Sequence, residues 1–226
     1  MVKFAQAYHY ITDCPLREKS EDPLVMSPLG EWYTEHALPI LVDMFKYKAK
    51  GSYVYAVKRF ADYMSELSKK THVFDKTLKI GAFQRAAVNM SLLVEMRQKV
   101  PYEVIGDFTA AHMEARVDLM RKKENQTIEL MWFICETVLP NADEQNVLSL
   151  WTNWHARAYE LKYNLRPYQL TVYYPLIGDS IEFVYNPYNG LDVVAELIHR
   201  GALYANPKRE RCLSCRHCPE YWRFTE

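Results

Sequence analysis

Three cysteines crowd one short stretch, Cys212-Leu-Ser-Cys215-Arg-His-Cys218-Pro, and a fourth, Cys14, stands in a Cys-Pro pair far upstream. Thiols this close together read first as metal ligands. Cys14, Cys212, Cys215 and Cys218 supply the four thiolates of an iron–sulfur cluster. The same four, or three of them with His217, suit a structural zinc, and spacing does not choose between the metals. A zinc ribbon brings a second Cys-x-x-Cys pair, which this chain lacks. Disulfides fit poorly with an odd total of 5 cysteines and no secretory leader pattern. Unligated thiols are the remaining alternative. On the metal reading, two distant segments meet at one centre and clasp the chain. Cys135 ends the apolar run Met131-Trp-Phe-Ile-Cys135 and reads as a core thiol.

Two further groups could do chemistry. Lys208, Arg209, Arg211 and Arg216 form the densest basic stretch and flank the cysteines. They either contact phosphates or balance the charge of the thiolates. Glu160-Leu-Lys162 spells an acid-x-lysine pair, with Asp143 upstream, but it falls in a helical pattern where residues two apart do not share a face.

Composition bounds the rest. The chain has 226 residues, 49% of them hydrophobic, enough for a sizeable core without disulfides. The formal net charge of zero means that a nucleic-acid role needs a local basic groove rather than bulk charge. The 17 tyrosines suit base stacking, although core packing is their commoner use. No apolar run is long enough to span a bilayer, so no membrane partner is expected. Reduced thiols without a leader point to the cytoplasm, or to the host cytoplasm for a viral or plasmid protein.

The elements that must position these groups come in two textures. Residues 1–30 read as an irregular lead-in broken by Pro15, Pro23, Pro28 and Gly30. Trp32–Tyr47 reads as a helix, Gly51 breaks it, and Val57, Phe60, Ala61, Met64 and Leu67 recur at helical spacing. Phe83, Ala87, Met90 and Val94 repeat that pattern up to Pro101. Met113–Lys122 and Thr127–Thr137 then read as two strands around a polar turn, and Glu144–Asn164 as a helix. Tyr168–Pro175 and Ser180–Tyr185 form a second hairpin turning at Gly178-Asp179, and Leu191–Ile198 a short helix closed by Gly201. The order predicts an α/β or α+β fold with a helical insert, neither a bundle nor a sandwich.

This order, with cysteines near both ends, resembles the RecB-type branch of the PD-(D/E)XK nucleases, which includes the CRISPR-associated iron–sulfur exonucleases. Tyr10-Ile-Thr-Asp-Cys14-Pro15 is similar to the family's first cysteine element. Gly30-Glu-Trp-Tyr-Thr-Glu-His36 is similar to its glycine-to-histidine element, with a longer spacing. Ala115-Arg-Val-Asp118-Leu-Met is similar to the strand bearing the first metal-binding aspartate. Leu191 through Gly201 to Cys218 is similar to the final helix, glycine and cysteine cluster, with a shorter last spacing. The resemblance implies one restriction-endonuclease-like domain over residues 1–226, with a mixed-sheet core at about 101–205 and a helical portion at about 31–100. Residues 206–226 with Cys14 would form the cluster clasp.

It also implies an activity, hydrolysis of DNA, single-stranded or at ends. Phosphodiester hydrolysis uses one or two divalent ions to polarise the phosphate and activate water, and oxygen ligands on adjacent strands hold Mg²⁺ or Mn²⁺. Asp118 and Glu129 would be those ligands, His36 a further ligand or water-positioning group, and Arg116 and Tyr159 phosphate contacts. His155-Ala-Arg-Ala-Tyr159 stands where the family places a glutamine or tyrosine helix. Met131 occupies the position of the family's lysine and cannot carry its charge. Two rival readings remain: a catalytically degenerate nuclease-fold module that binds nucleic acid or a protein partner, and a zinc-bearing interaction protein unrelated to nucleases.

Overall fold

The computed structural model describes residues 1–12, 24, 26–46, 52–70, 75–96, 102–123 and 126–200. The helical portion runs α1 (Phe4–Thr12), α2 (Pro28–His36), α3 (Leu38–Lys46), α4 (Ser52–Lys70) and α5 (Lys76–Met96). The remainder is β1 (Tyr102–Ala110), β2 (Met113–Lys122), β3 (Ile128–Phe133), α6 (Ala142–Tyr163), β4 (Pro167–Tyr174), β5 (Asp179–Val184) and α7 (Leu191–His199). This is a mixed α/β fold built on one five-stranded sheet.

Local chemistry explains several of these boundaries. Ala56, Phe60 and Met64 of α4 are buried one helical turn apart, and Phe60 stacks on Phe83 of α5 with ring centroids 3.8 Å apart. The helix expected over Trp32–Tyr47 is two helices, because Pro39 has no N–H to donate and suits only a first turn. Ser27 caps α2 by accepting the Gly30 N–H. Asn141 and Glu144 close a capping box at the start of α6, and Asn164 ends it in the left-handed conformation, φ 54°. The lead-in expected to be irregular contains α1, whose Phe4 and Ala7 are buried.

The strands lie in the order β1-β2-β3-β4-β5. β1–β2, β2–β3 and β4–β5 pair antiparallel, whereas β3–β4 pair parallel, joined through α6. Parallel neighbours need such a crossover. β3 is buried along its whole length and divides by alternation. Ile128, Leu130 and Trp132 pack toward α6, while Met131 and Phe133 pack toward the cluster of α2–α5. The sheet therefore lies between two helical layers.

One irregularity matters for the site. In β2, Val117 packs toward α6 but Leu119 packs toward the opposite helices, two residues later. β1 switches at the same level, with Val104 on one face and Phe108 on the other. Between them Gly106, paired with Val117, has φ +80°, which glycine adopts without a Cβ clash. Asp118 sits at this switch.

Candidate functional site

Past Leu119↔Met131 the β2–β3 ladder stops, and the two strands fork. The free edge of β2 then needs other partners, since buried peptide groups are rarely left unpaired. Val2 forms a parallel bridge with Met113, donating to the His112 carbonyl (2.7 Å) and accepting from the Glu114 N–H (2.9 Å). The Trp154 indole donates to the Glu114 carbonyl (2.8 Å) and the Trp132 indole to the Arg116 carbonyl (2.5 Å). The Arg116 N–H donates to Nδ1 of His155 (3.0 Å).

Asp118 lies at the apex of the fork and is 5% exposed. Its Oδ2 accepts the Phe133 N–H (2.8 Å), so the carboxylate stands in for a missing rung of the ladder. Its Oδ1 accepts from Nε (2.7 Å) and Nη2 (2.6 Å) of Arg116. Burial pushes the Asp118 carboxyl up, against the pull of Arg116 and the Phe133 N–H. The Cys135 thiol is 1% exposed and close enough to feel the Asp118 charge; burial first, then that charge, pushes it up to about 12. Cys135 is thus an inert core thiol. The α2 residue that bonds to it is Thr34. One residue on, Glu136 accepts the Ser27 N–H (2.7 Å) and hydroxyl (2.8 Å), which fastens β3 to the start of α2. Gly30 permits this approach: a Cβ there would lie 2.1 Å from Glu136 Oε1.

Glu129, on β3, is 1% exposed and faces its cross-strand partner Arg121. It contacts the Arg121 guanidinium, accepts from the Thr171 hydroxyl (2.7 Å) and lies 3.8 Å from Lys123 Nζ. Asp118 and Glu129 therefore occupy neighbouring strands, each held by its own cations. Among the described residues, no three His, Cys, Asp or Glu side chains are grouped so as to hold a metal ion. A guanidinium on Asp118 is the donor set of an internal ion pair and does not fit a Mg²⁺ or Mn²⁺ cradle. Met131 is 1% exposed within the cluster of α2–α5.

The other expected site residues lie apart from this pair. His36 Nδ1 shares a 2.6 Å hydrogen bond with the Tyr63 hydroxyl of α4, and its ring packs on Trp32 at 4.9 Å. Tyr159 is 1% exposed, with its phenol pushed up to about 12 by burial and then Glu103. Glu160 binds Arg157 (2.7 Å) and the Tyr185 hydroxyl (2.6 Å), whereas Lys162 lies over the Phe108 ring at 5.0 Å, so the acid-x-lysine pair does not converge. Asp143 is in the first turn of α6. Cys14, Cys212, Cys215 and Cys218, and Lys208, Arg209, Arg211 and Arg216, lie outside the described residues.

His155 was not expected to brace β2. Its Nδ1 accepts the Arg116 N–H, so the neutral ring carries its proton on Nε2. Burial, then Arg116, drives it down to about 3. A histidine depressed in this way is neutral when folded but takes a proton near pH 6.5 when unfolded. Acidification from pH 6.5 toward 5 should therefore cost up to about 1.4 kcal/mol per pH unit from this group alone. Asp118, pushed up, acts with the opposite sign, since its protonation favours the folded state. Denaturant melts of the wild type and His155→Gln across that window isolate the histidine. The variant should show the shallower loss, and parallel curves would remove His155 as the cause.

No protein-family model matches the chain, and no curated protein is significantly similar to it.

Proposed function

We propose that this chain is a nuclease-like protein of the RecB-type PD-(D/E)XK kind that binds nucleic acid, single-stranded or at ends, and has lost phosphodiester hydrolysis. A mixed sheet between helical layers, with Asp118 and Glu129 on adjacent strands and a helix after the second, supports the nuclease-like part. The observation that carries the loss of hydrolysis is the state of Asp118, whose two oxygens are committed to Arg116 and to the Phe133 N–H. Glu129 on its own cations and Met131 in the core agree with it.

In this reading Cys14, Cys212, Cys215 and Cys218 hold an iron–sulfur cluster, with zinc as the alternative, that shapes a single-strand channel. Lys208, Arg209, Arg211 and Arg216 line that channel. Among the described residues no helix is long and apolar enough to cross a membrane. A cytoplasmic setting, in a host cell for a viral protein, and a protein partner in place of nucleic acid belong to the same proposal. An active metal-dependent nuclease is the second reading, favoured by the burial of both carboxylates on neighbouring strands.

Binding is tested on labelled single- and double-stranded oligonucleotides as salt is raised. The quadruple alanine variant of Lys208, Arg209, Arg211 and Arg216 should bind more weakly, with the salt slope reduced by about one for each lost phosphate contact. Unchanged binding and slope would remove the basic channel. Anaerobically purified protein should show iron–sulfur charge-transfer absorbance. A colourless, zinc-loaded preparation would keep the clasp without the iron.

A further inference from the structure

A cleft opens beside the fork. It has a volume of about 610 Å³, within the range of about 300–1,000 Å³ typical of small-ligand sites. It is walled by the start of α1, the β1–β2 hairpin and α6. Its charged lining is Lys3 and Lys162 on one hand and Asp107 and Glu114 on the other, with Arg116 already engaged by Asp118. Among the described residues, the side chains of Lys3, Asp107 and Glu114 form no ion pair or hydrogen bond. Trp151, half-buried, and the ring of His155 also line it, 4.4 Å apart.

Three features of this cleft ask for a ligand. His155 is 7% exposed, and its Nε2 finds no hydrogen-bond partner among the described residues. Because Nδ1 accepts from Arg116, that nitrogen is a donor, and a buried donor without an acceptor is costly. The first turn of α1, which contributes to the wall, has no acidic residue, so its peptide N–H groups favour an anion. The lining also mixes lysines, carboxylates and an indole, which no simple anion uses in full. A nucleotide uses each: phosphate oxygens take the lysines and the His155 proton, the base lies against Trp151, and the base-edge amino and imino groups donate to carboxylates.

We infer that this cleft receives one unstacked nucleotide, either at the end of a bound strand or free. The inference rests on the nucleic-acid reading above and names the place where a strand end would be held.

The test is calorimetry of the full-length protein with the four deoxynucleoside monophosphates, with inorganic phosphate, and with a single-stranded oligonucleotide. Nucleoside monophosphates should bind at least about 10-fold more tightly than phosphate, and the oligonucleotide should compete with them. Lys3→Ala and Lys162→Ala, both at exposed positions, should each weaken the nucleotide about 10-fold, the effect of losing one charge-assisted contact. His155→Gln, which can still accept and donate, should retain binding, whereas His155→Leu should lose it, with melting curves confirming that each variant folds. Oligonucleotide binding without monophosphate binding, or monophosphate binding indifferent to both lysines, overturns the cleft and leaves the nucleic-acid reading standing. Binding of neither ligand overturns both.

Discussion

Replacing Asp118 with alanine is expected to lower stability by about 3 kcal/mol, or roughly 6–12 °C in melting temperature for a chain of this size. The change leaves the Phe133 N–H without its acceptor and the Arg116 guanidinium without its carboxylate. Breaking a buried pair costs about 3–5 kcal/mol, and the low end applies because the Arg116 side chain is 39% exposed. Asp118→Asn keeps an oxygen for Phe133 and removes a charge that burial opposes, and should lose much less than the alanine variant. Carboxylates gathered to hold a divalent ion behave differently. They repel one another without the metal, so removing one leaves the metal-free melting temperature unchanged or raises it. Melting curves in chelator distinguish the two roles without any activity assay. An Asp118→Ala protein as stable as the wild type would contradict the structural role given to this residue.

The second large effect concerns the missing lysine. Met131 is 1% exposed and packs in the same cluster as Leu119, Phe133 and Tyr173. A lysine there would lose its hydration, and a fall of about three pKa units corresponds to about 4 kcal/mol. Glu129 offers little relief, because Arg121 and Lys123 already serve it. Met131→Lys should therefore melt more than about 8 °C below the wild type and gain no cutting activity. A stable Met131→Lys protein that hydrolyses DNA would show that the position is a catalytic site awaiting its cation.

Several elements were legible in the sequence because turn residues bracket them. β2 has the bounds that the polar turn suggests, and the β4–β5 hairpin turns at Gly178 as its residues require. The polar turn between β2 and β3 sets a register that ends at Leu119↔Met131, next to Asp118. β1 was missed. It is an edge strand, largely half-exposed, and Gly106 changes its buried face midway, so no single period of two runs through it. α1 was missed because only nine residues hold it, and its buried Phe4 and Ala7 gain meaning only once α1 packs against α7, α6 and β2.

The candidate site was legible in residue type and not in partnership. Asp118 and Glu129 could be named from their strands, but nothing local announces that Arg116 would close on the first and Arg121 on the second. The first contact follows from the face switch at Gly106 and the fork beyond Leu119, and the second is a cross-strand pair of the β2–β3 ladder. His155 is a similar case. It reads as a departure from a glutamine, yet its observed work is to satisfy the Arg116 N–H where the ladder has ended.

The most direct measurement is the fate of labelled single- and double-stranded DNA with fully metallated protein in Mn²⁺ and in Mg²⁺, with binding and cleavage recorded on the same substrates. Retention of the DNA without cutting is expected, for the wild type and for Asp118→Asn alike. Robust cutting by the wild type that disappears in Asp118→Asn would contradict it and establish Asp118 as a metal-site residue of a working nuclease. Cutting that survives Asp118→Asn but is lost in Glu160→Ala or Lys162→Ala would contradict it too, and would move the active site to α6.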